Sequence, residues 1–352
     1  MPTRSNPTLH DVASKAGVTV GTASRALDPR RESMVKPATR DAIKSAAEAL
    51  GYQINTAARG LRRGVSDLVG VVISDFGNPI IAPIIRGIED VASREGFQTF
   101  VTETRGQVGG IAKALSQLSQ RRAAVIVLTG VQTEDGPAVE KHIQAANSIP
   151  LIFALRELEN VTATSVILDD KKGGRIAGQH LLDLGHKLVA EIPGPGNASP
   201  FRYRSDGFRE AISADDTASY LTAKNDLNLP PTYETGHQLA QDLLSRHADV
   251  TGIFAHNDLM AIGAIDAVRE IGLRCPEDVS VIGFDDSPLM DHINPPLTTV
   301  RLPGEEIGHR AGYQAIRAAQ DSDQPSIRSK LDPRLVLRAS TQPLSTKGRK
   351  KT

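Results

Sequence analysis

Polar side chains that could hold a ligand stand at the ends of short apolar runs. Ser74, Asp75 and Asn78 follow Leu68–Ile73, Asn257 and Asp258 follow Gly252–Ala255, and Asp285 and Asp286 follow Val279–Phe284. Arg204 lies between the run Val189–Ile192 and Gly207-Phe208. Hydroxyl, amide, carboxylate and guanidinium groups donate and accept hydrogen bonds, so the chemistry they offer together is recognition. The groups that would turn recognition into catalysis are missing. The sequence has no glycine-rich phosphate loop, no nucleophile elbow and no cluster with metal-ligand spacing. Cys275 is the single cysteine, which excludes a disulfide framework within the chain and a cysteine-rich zinc site. Asp pairs such as Asp169-Asp170 are scattered and give weak support to a sugar hydrolase or kinase. No enzymatic activity, metal or cofactor is expected.

These residues need strands to carry them. Leu68–Ile73, Phe97–Thr102, Ala123–Leu128, Leu151–Leu155, Ser165–Leu168, Val189–Ile192, Gly252–Ala255 and Val279–Phe284 read as buried strands. Between and after them, Pro83–Glu95, Gly173–Leu184, Gly207–Ala214, Gly236–His247 and Asp258–Ile271 read as helices. Apolar strands alternating with helices predict parallel sheets covered on both faces, an α/β class. A stretch of about 280 residues is long enough for two such lobes. In open α/β sheets ligands sit beyond the carboxyl ends of the strands, where these polar residues fall.

The first sixty-odd residues are built differently. Residues 1–64 carry eleven Lys/Arg against five Asp/Glu, a net +6, whereas the whole chain is formally neutral, so the remainder stands at −6. A basic module on an acidic body suits attraction to a phosphate backbone. Leu9, Val12, Ala13 and Ala16 share one helical stripe, with Thr8 as N-cap, Asp11 in the first turn and Gly17 as the stop. Thr19 can cap a second helix, Val20–Leu27, whose inner face is the small pair Ala23 and Ala26. Pro37 can open a third, Ala38–Leu50, ended by Gly51-Tyr52. Two short helices crossing closely at a glycine turn form the helix-turn-helix pattern, whose second helix enters the major groove.

The run Thr8-Leu-His-Asp-Val-Ala, Ala16-Gly-Val-Thr, Thr22-Ala-Ser-Arg-Ala-Leu, Leu50-Gly-Tyr, Asn55, Ala58-Arg and Leu61 resembles the lactose-repressor family of bacterial regulators. Further on, Phe254-Ala-His-Asn-Asp-Leu-Met-Ala-Ile-Gly, Asp278-Val-Ser-Val-Ile-Gly-Phe-Asp-Asp and Pro295-Pro-Leu-Thr-Thr-Val look like that family's periplasmic-binding-protein-like sensor, and the likeness runs to near residue 342. The resemblance implies a headpiece over 1–54, a hinge helix over 55–64, a two-lobed effector and dimerisation domain over 65–342, and a basic tail over 343–352. It implies that Thr19, Thr22 and Ser24 contact phosphates or base edges, and that Val20, Gly21 and Arg25 occupy base-reading positions. Arg25 can bond guanine bidentately. Asn55 to Leu61 would form a helix that orders on DNA, with Ala58 at the approach of two such helices and Leu61 wedged into the minor groove. In the sensor, Arg204, Asn257 and Asp285 fall on positions that commonly hydrogen-bond the effector. Such a set suits a polyol such as a sugar, and equally a purine or an acid. The implied protein is a homodimeric regulator, most simply a repressor, with operator DNA and a small molecule as partners.

The sequence also departs from the family pattern. Gly21 brings no side chain to a specificity position, so reading would lean on Val20, Arg25 and DNA shape. Lys36 stands where a Ser cap commonly precedes the proline. The loop Asp28–Lys36 carries Arg30 and Arg31, which would add backbone affinity. Leu155 takes a place where the family often has Asp, and Arg156 follows it. Asp258 is expected as the N-cap of its helix, with Asp286 and His186 structural. Leu331–Thr341 matches the family's last strand. The start, Met-Pro-Thr-Arg-Ser-Asn-Pro, lacks an apolar signal core, and no apolar run approaches the ~18 residues of a membrane span, which predicts a cytoplasmic protein. That start and the attached reader oppose an exported solute-binding protein.

Overall fold

The computed structural model describes residues 7–28, 31–52, 66–321 and 324–344. The chain divides into two compact units, Met1–Ser66 and Asp67–Thr352. Asn55, Ala58 and Leu61, the loop residue Arg30 and most of the basic tail lie outside the described residues.

The first unit is three helices on a core of small side chains. Helix α1 (Leu9–Lys15) opens on a reciprocal cap: Thr8 Oγ1 accepts from the Asp11 amide at 3.3 Å, and Asp11 accepts from the Thr8 amide at 2.8 Å. Gly17 then turns the chain with φ +65°, a conformation without penalty only for glycine. Helix α2 (Val20–Ala26) starts with Thr19 Oγ1 accepting from the Thr22 amide at 3.2 Å. Helix α3 (Pro37–Leu50) begins at a proline, gains no side-chain cap from Lys36, and ends on left-handed Gly51. Val12, Ala13, Ala23, Ala26 and Ile43 are fully or almost fully buried between them. Ala at 13, 23 and 26 is what lets three short helices meet around one isoleucine.

The second unit holds two six-stranded sheets among the described residues. The first lobe is built on β1 (Leu68–Ile73), β2 (Gln98–Glu103), β3 (Val125–Leu128), β4 (Leu151–Leu155), β5 (Thr164–Leu168) and β11 (Arg328–Leu331), all parallel, in the order β11-β5-β4-β3-β1-β2. The second is built on β6 (Leu188–Ile192), β7 (Ser219–Thr222), β8 (Gly252–Ala255), β9 (Ser280–Asp285), β10 (Thr298–Arg301) and β12 (Arg334–Val336), in the order β12-β10-β9-β8-β6-β7. Only β12 runs antiparallel to its neighbour. Central strands are buried on both faces, the reason their sequences read as unbroken apolar runs.

Helices α4 (Ile81–Arg94), α5 (Gly110–Gln120), α6 (Gly136–Gln144) and α11 (Gly304–Gln320) belong to the first lobe, and α7 (Asp170–Asp183), α8 (Ser199–Ser213), α9 (Tyr233–Arg246) and α10 (Asp258–Glu270) to the second. The chain passes between lobes from β5 to α7, from β10 to α11, and from β11 to β12. The last passage corrects the reading of Leu331–Thr341 as a single strand. Leu331 ends a strand of the first sheet and Arg334–Val336 starts anew in the second, because Asp332-Pro333 interrupts the ladder. Helix α8 also starts eight residues before the expected Gly207. Pro200 is compatible with a helix's first turn, and Phe201, Arg204, Ser205 and Phe208 then share its buried face.

Candidate functional site

On α2 the residues expected to meet DNA are available. Thr19, Gly21 and Arg25 are exposed, and Val20, Thr22 and Ser24 are half-buried. Thr19 Oγ1 lies 2.9 Å from Thr22 Oγ1, so these two hydroxyls hold each other as well as the helix start. A Cβ on Gly21 would find only Arg25 Nη2 at 3.7 Å and Thr19 Oγ1 at 3.9 Å, which leaves the position open. Arg31 is exposed just before a short 3-10 turn at Glu32–Met34.

The second site is buried. Arg204 is 3% exposed in the second turn of α8. Its Nε donates to Asp170 Oδ1 at 2.8 Å, its Nη1 donates to the His256 carbonyl, and its Nη2 lies 3.6 Å from Asp285 Oδ1. Its guanidinium stacks 3.6 Å above the Phe284 ring and 5.3 Å from that of Phe201. Two glycines bring these groups together. A Cβ on Gly174 would collide with the Arg204 carbonyl, and one on Gly207 with the Lys171 carbonyl, so α7 and α8 touch backbone to backbone. That contact sets Asp170, at the first turn of α7, against Arg204.

Asp285 ends β9 with φ +111° and Asp286 follows at φ +56°, backbone that few non-glycine residues adopt. Burial pushes the Asp285 carboxyl well above the usual carboxylate range, against the pull of Arg204 and with the push of Asp258. Asn257 sits one residue past the carbonyl that Arg204 grips, yet its amide is occupied. Its Oδ1 caps α10 by accepting from the Met260 amide at 2.8 Å, and its Nδ2 donates to the Pro231 carbonyl at 2.8 Å. This corrects the expectation for Asp258. Asp258 is the first residue inside α10, and its two oxygens accept from the Ser287 amide and the Thr299 hydroxyl, each at 2.6 Å. It anchors the turn after β9. Asp286 pairs with Arg301 and Arg338, and buried His186 bonds Thr251 and Ser280.

Ser74, Asp75 and Asn78 lie at the carboxyl end of β1, in the other lobe. Asp75 accepts from the Gly77 amide at 2.7 Å and Asn78 from the Ile80 amide at 3.2 Å, so both spend an oxygen on their own turn. Among the described residues, no hydrogen bond or ion pair joins these three to Arg204. The carboxyl ends of the two sheets meet through other residues. Thr133 donates to the Asn197 carbonyl at 2.9 Å, Ser199 to the Glu157 carbonyl at 3.2 Å, and Arg202 to Glu159 at 2.8 Å. A cavity of about 160 Å³ opens beside them, with Leu155, Asp170, Ser199 and Tyr203 in its wall. Asp170, Phe201 and Phe284 were not picked out as site residues. Asp170 does follow a strand, the same signal that selected Asp285.

Comparison with known proteins decides what this pairing of units is. A family model described as bacterial regulatory proteins, lacI family, matches residues 8–55, and one for a periplasmic binding protein-like domain matches residues 179–341. The regulator DegA of Bacillus subtilis is 32% identical over 343 residues, spanning 96% of this chain and 99% of its own. The chain belongs to the lacI family. Among solved structures, the lac repressor dimer bound to operator and the anti-inducer ONPF superposes with TM-score 0.83 at 26% identity, over 96% of this chain and 100% of that one. A CelR–cellobiose complex gives 0.69 at 30% identity, over 95% and 99%. As a lacI-family member the chain is a DNA-binding transcription regulator, with α1 and α2 as its helix-turn-helix and the two-lobed α/β unit as its sensor fold. Among its described residues no helix is long and apolar enough to cross a membrane.

Proposed function

We propose that this chain is a repressor, working as a two-fold dimer on a near-palindromic operator, whose DNA affinity is set by a small molecule bound between its lobes. In this reading residues 1–54 read DNA, 55–64 form a linker that orders on it with Leu61 as wedge, and 65–342 sense the effector. The observation that carries it is the buried knot of Arg204, Asp170 and Asp285 at the carboxyl ends of strands, where open α/β sheets take ligands. A relative is described in complex with cellobiose and another with operator and anti-inducer, which supports a sugar-like effector and a DNA partner here. A ligand that rearranges the Arg204 contacts changes how the two lobes are held, and through the linker changes operator grip. Couplings of this kind are about 1–3 kcal/mol and act equally in both directions.

Mapping bound sites across the genome of the host tests the reading. Enrichment at a few near-palindromic sites upstream of genes for uptake or use of one compound is the expected result. Purified full chain should then lose or gain affinity for those sites by about 5–150-fold when that compound is added. Uniform, unenriched binding would overturn it.

A further inference from the structure

Away from the cleft, one group of side chains in the first lobe has the make-up of a metal site. Asp90 on α4 and Glu305 and His309 on α11 each bring a donor atom within 4.8 Å of the other two. His309 Nε2 lies 3.3 Å from Asp90 Oδ2. Glu305 and His309 stand four residues apart in one helix, so they are neighbours on a single face. Asp90 is 219 positions from His309, which is why no spacing in the sequence betrays the set.

The backbone fixes this arrangement. A Cβ on Gly87 of α4 would lie 2.4 Å from the Glu305 carbonyl oxygen and 2.6 Å from the His309 amide nitrogen. One on Gly308 would lie 2.2 Å from the Ile84 carbonyl oxygen. The two helices therefore touch main chain to main chain between the two α11 residues, and Asp90, about one turn after Gly87, is carried to the same place. Asp90 and His309 have side chains 37% and 34% exposed, sheltered yet open to an entering ion. Charge is unbalanced here. Among the described residues, no Lys or Arg pairs with Asp90 or Glu305. A histidine offsets a carboxylate only while it is protonated. A divalent ion offsets both carboxylates and takes imidazole as a neutral ligand.

We infer that Asp90, Glu305 and His309 bind a first-row divalent transition ion of the zinc type. Imidazole beside two carboxylates selects this class over magnesium and calcium, which prefer oxygen ligands throughout. Three protein ligands leave the rest of the shell to water. An ion held there ties α4 to α11 at the point where the chain enters the first lobe from the second. Leu302, three residues before Glu305, donates its amide to the Asp285 carbonyl of the second lobe at 3.1 Å. The inference stands apart from the effector reading above.

The test uses the full chain, free of any affinity tag and stripped with chelator, beside its D90N, E305Q and H309Q variants. E306Q is the control, since Glu306 is the next residue on α11 and bonds Arg310 instead. Zinc chloride and magnesium chloride are titrated by calorimetry and by the shift in melting temperature, and cobalt chloride by its visible absorption. A single zinc ion per chain should bind about tenfold or more tighter than magnesium, and cobalt should show the bands of a nitrogen-containing site. Each of the three variants should weaken zinc binding by about tenfold or more and remove its effect on melting, whereas E306Q should keep both. Glu305 is exposed, so E305Q reads the site even where D90N or H309Q disturbs the helix contact. Magnesium bound as tightly as zinc, or zinc held equally by the parent and all three variants, would overturn the inference. So would an equal loss in E306Q, since the ion would then be gathering on acidic surface at large.

Discussion

The polar residues of the recognition helix and those of the cleft differ in what they have left to give. On α2, Arg25 and Thr19 are exposed, and Gly21 leaves an open place beside them. In the cleft, Arg204 and Asp285 are buried and engage each other, Asp170 and a main-chain carbonyl. A surface built to meet a polyanion can keep its donors in water until the partner arrives. An interior site cannot, because an unmade bond there costs the full desolvation of the group. An effector entering such a site must therefore exchange partners with the protein, and that exchange is what gives a bound ligand leverage on the fold.

The contrast can be broken most directly at its two arginines. R204A strands Asp170 and Asp285 in the interior and should cost about 3–5 kcal/mol in denaturant unfolding. A loss below ~1 kcal/mol would mean that the knot is not holding the second lobe together. The next effect is read against pH. Asp258 is raised to about 7 in the fold by burial, with Ser287 and Thr299 pulling the other way. A carboxyl raised above its unfolded value of 3.8 holds its proton longer in the native state, so its contribution to stability falls as pH rises from about 4 to about 7. The melting temperature of D258N should accordingly gain on that of the parent across this window and stop gaining above it. A constant difference would show that Asp258 titrates as it does when unfolded.

On the reading side, R25A should leave unfolding within ~0.5 kcal/mol of the parent, as a surface change does. It should cost about 1–3 kcal/mol of discrimination at one operator base pair, measured by competition with altered sites. Destabilisation comparable to R204A would erase the distinction between the regions. The smallest effect is expected from G21A. The open position accepts a methyl, and removing a helical glycine should stabilise the headpiece by up to ~1 kcal/mol without changing which bases Arg25 reads.

How much of this was legible beforehand follows the same division. Every boundary signal in the reader acts within four or five residues: Thr8 on Asp11, Thr19 on Thr22, Pro37 and Gly51 on the helix they bracket. Central strands in the sensor were also legible, since burial on both faces writes itself as an apolar run, whereas β7, β10 and β11, short and rich in polar residues, were not read. The start of α8 was not, because the absence of a polar cap at Ala198 removed the usual signal. Asp258 was misread for a related reason. Either of two adjacent polar residues could cap α10, and the choice fell to Asn257 once Asp258 was claimed by Ser287 and Thr299, from elements that sequence proximity does not reveal.

By itself, then, the sequence determined a basic helix-turn-helix, two α/β lobes and a set of polar residues at strand ends. Only the tertiary structure decided which of those residues meet. Arg204 finds Asp170 from 34 residues away and the His256 carbonyl from 52, across a helix contact that two glycines permit. Whether a buried arginine is spent depends on every group within reach in space, and Arg204 reaches three that lie far from it in sequence.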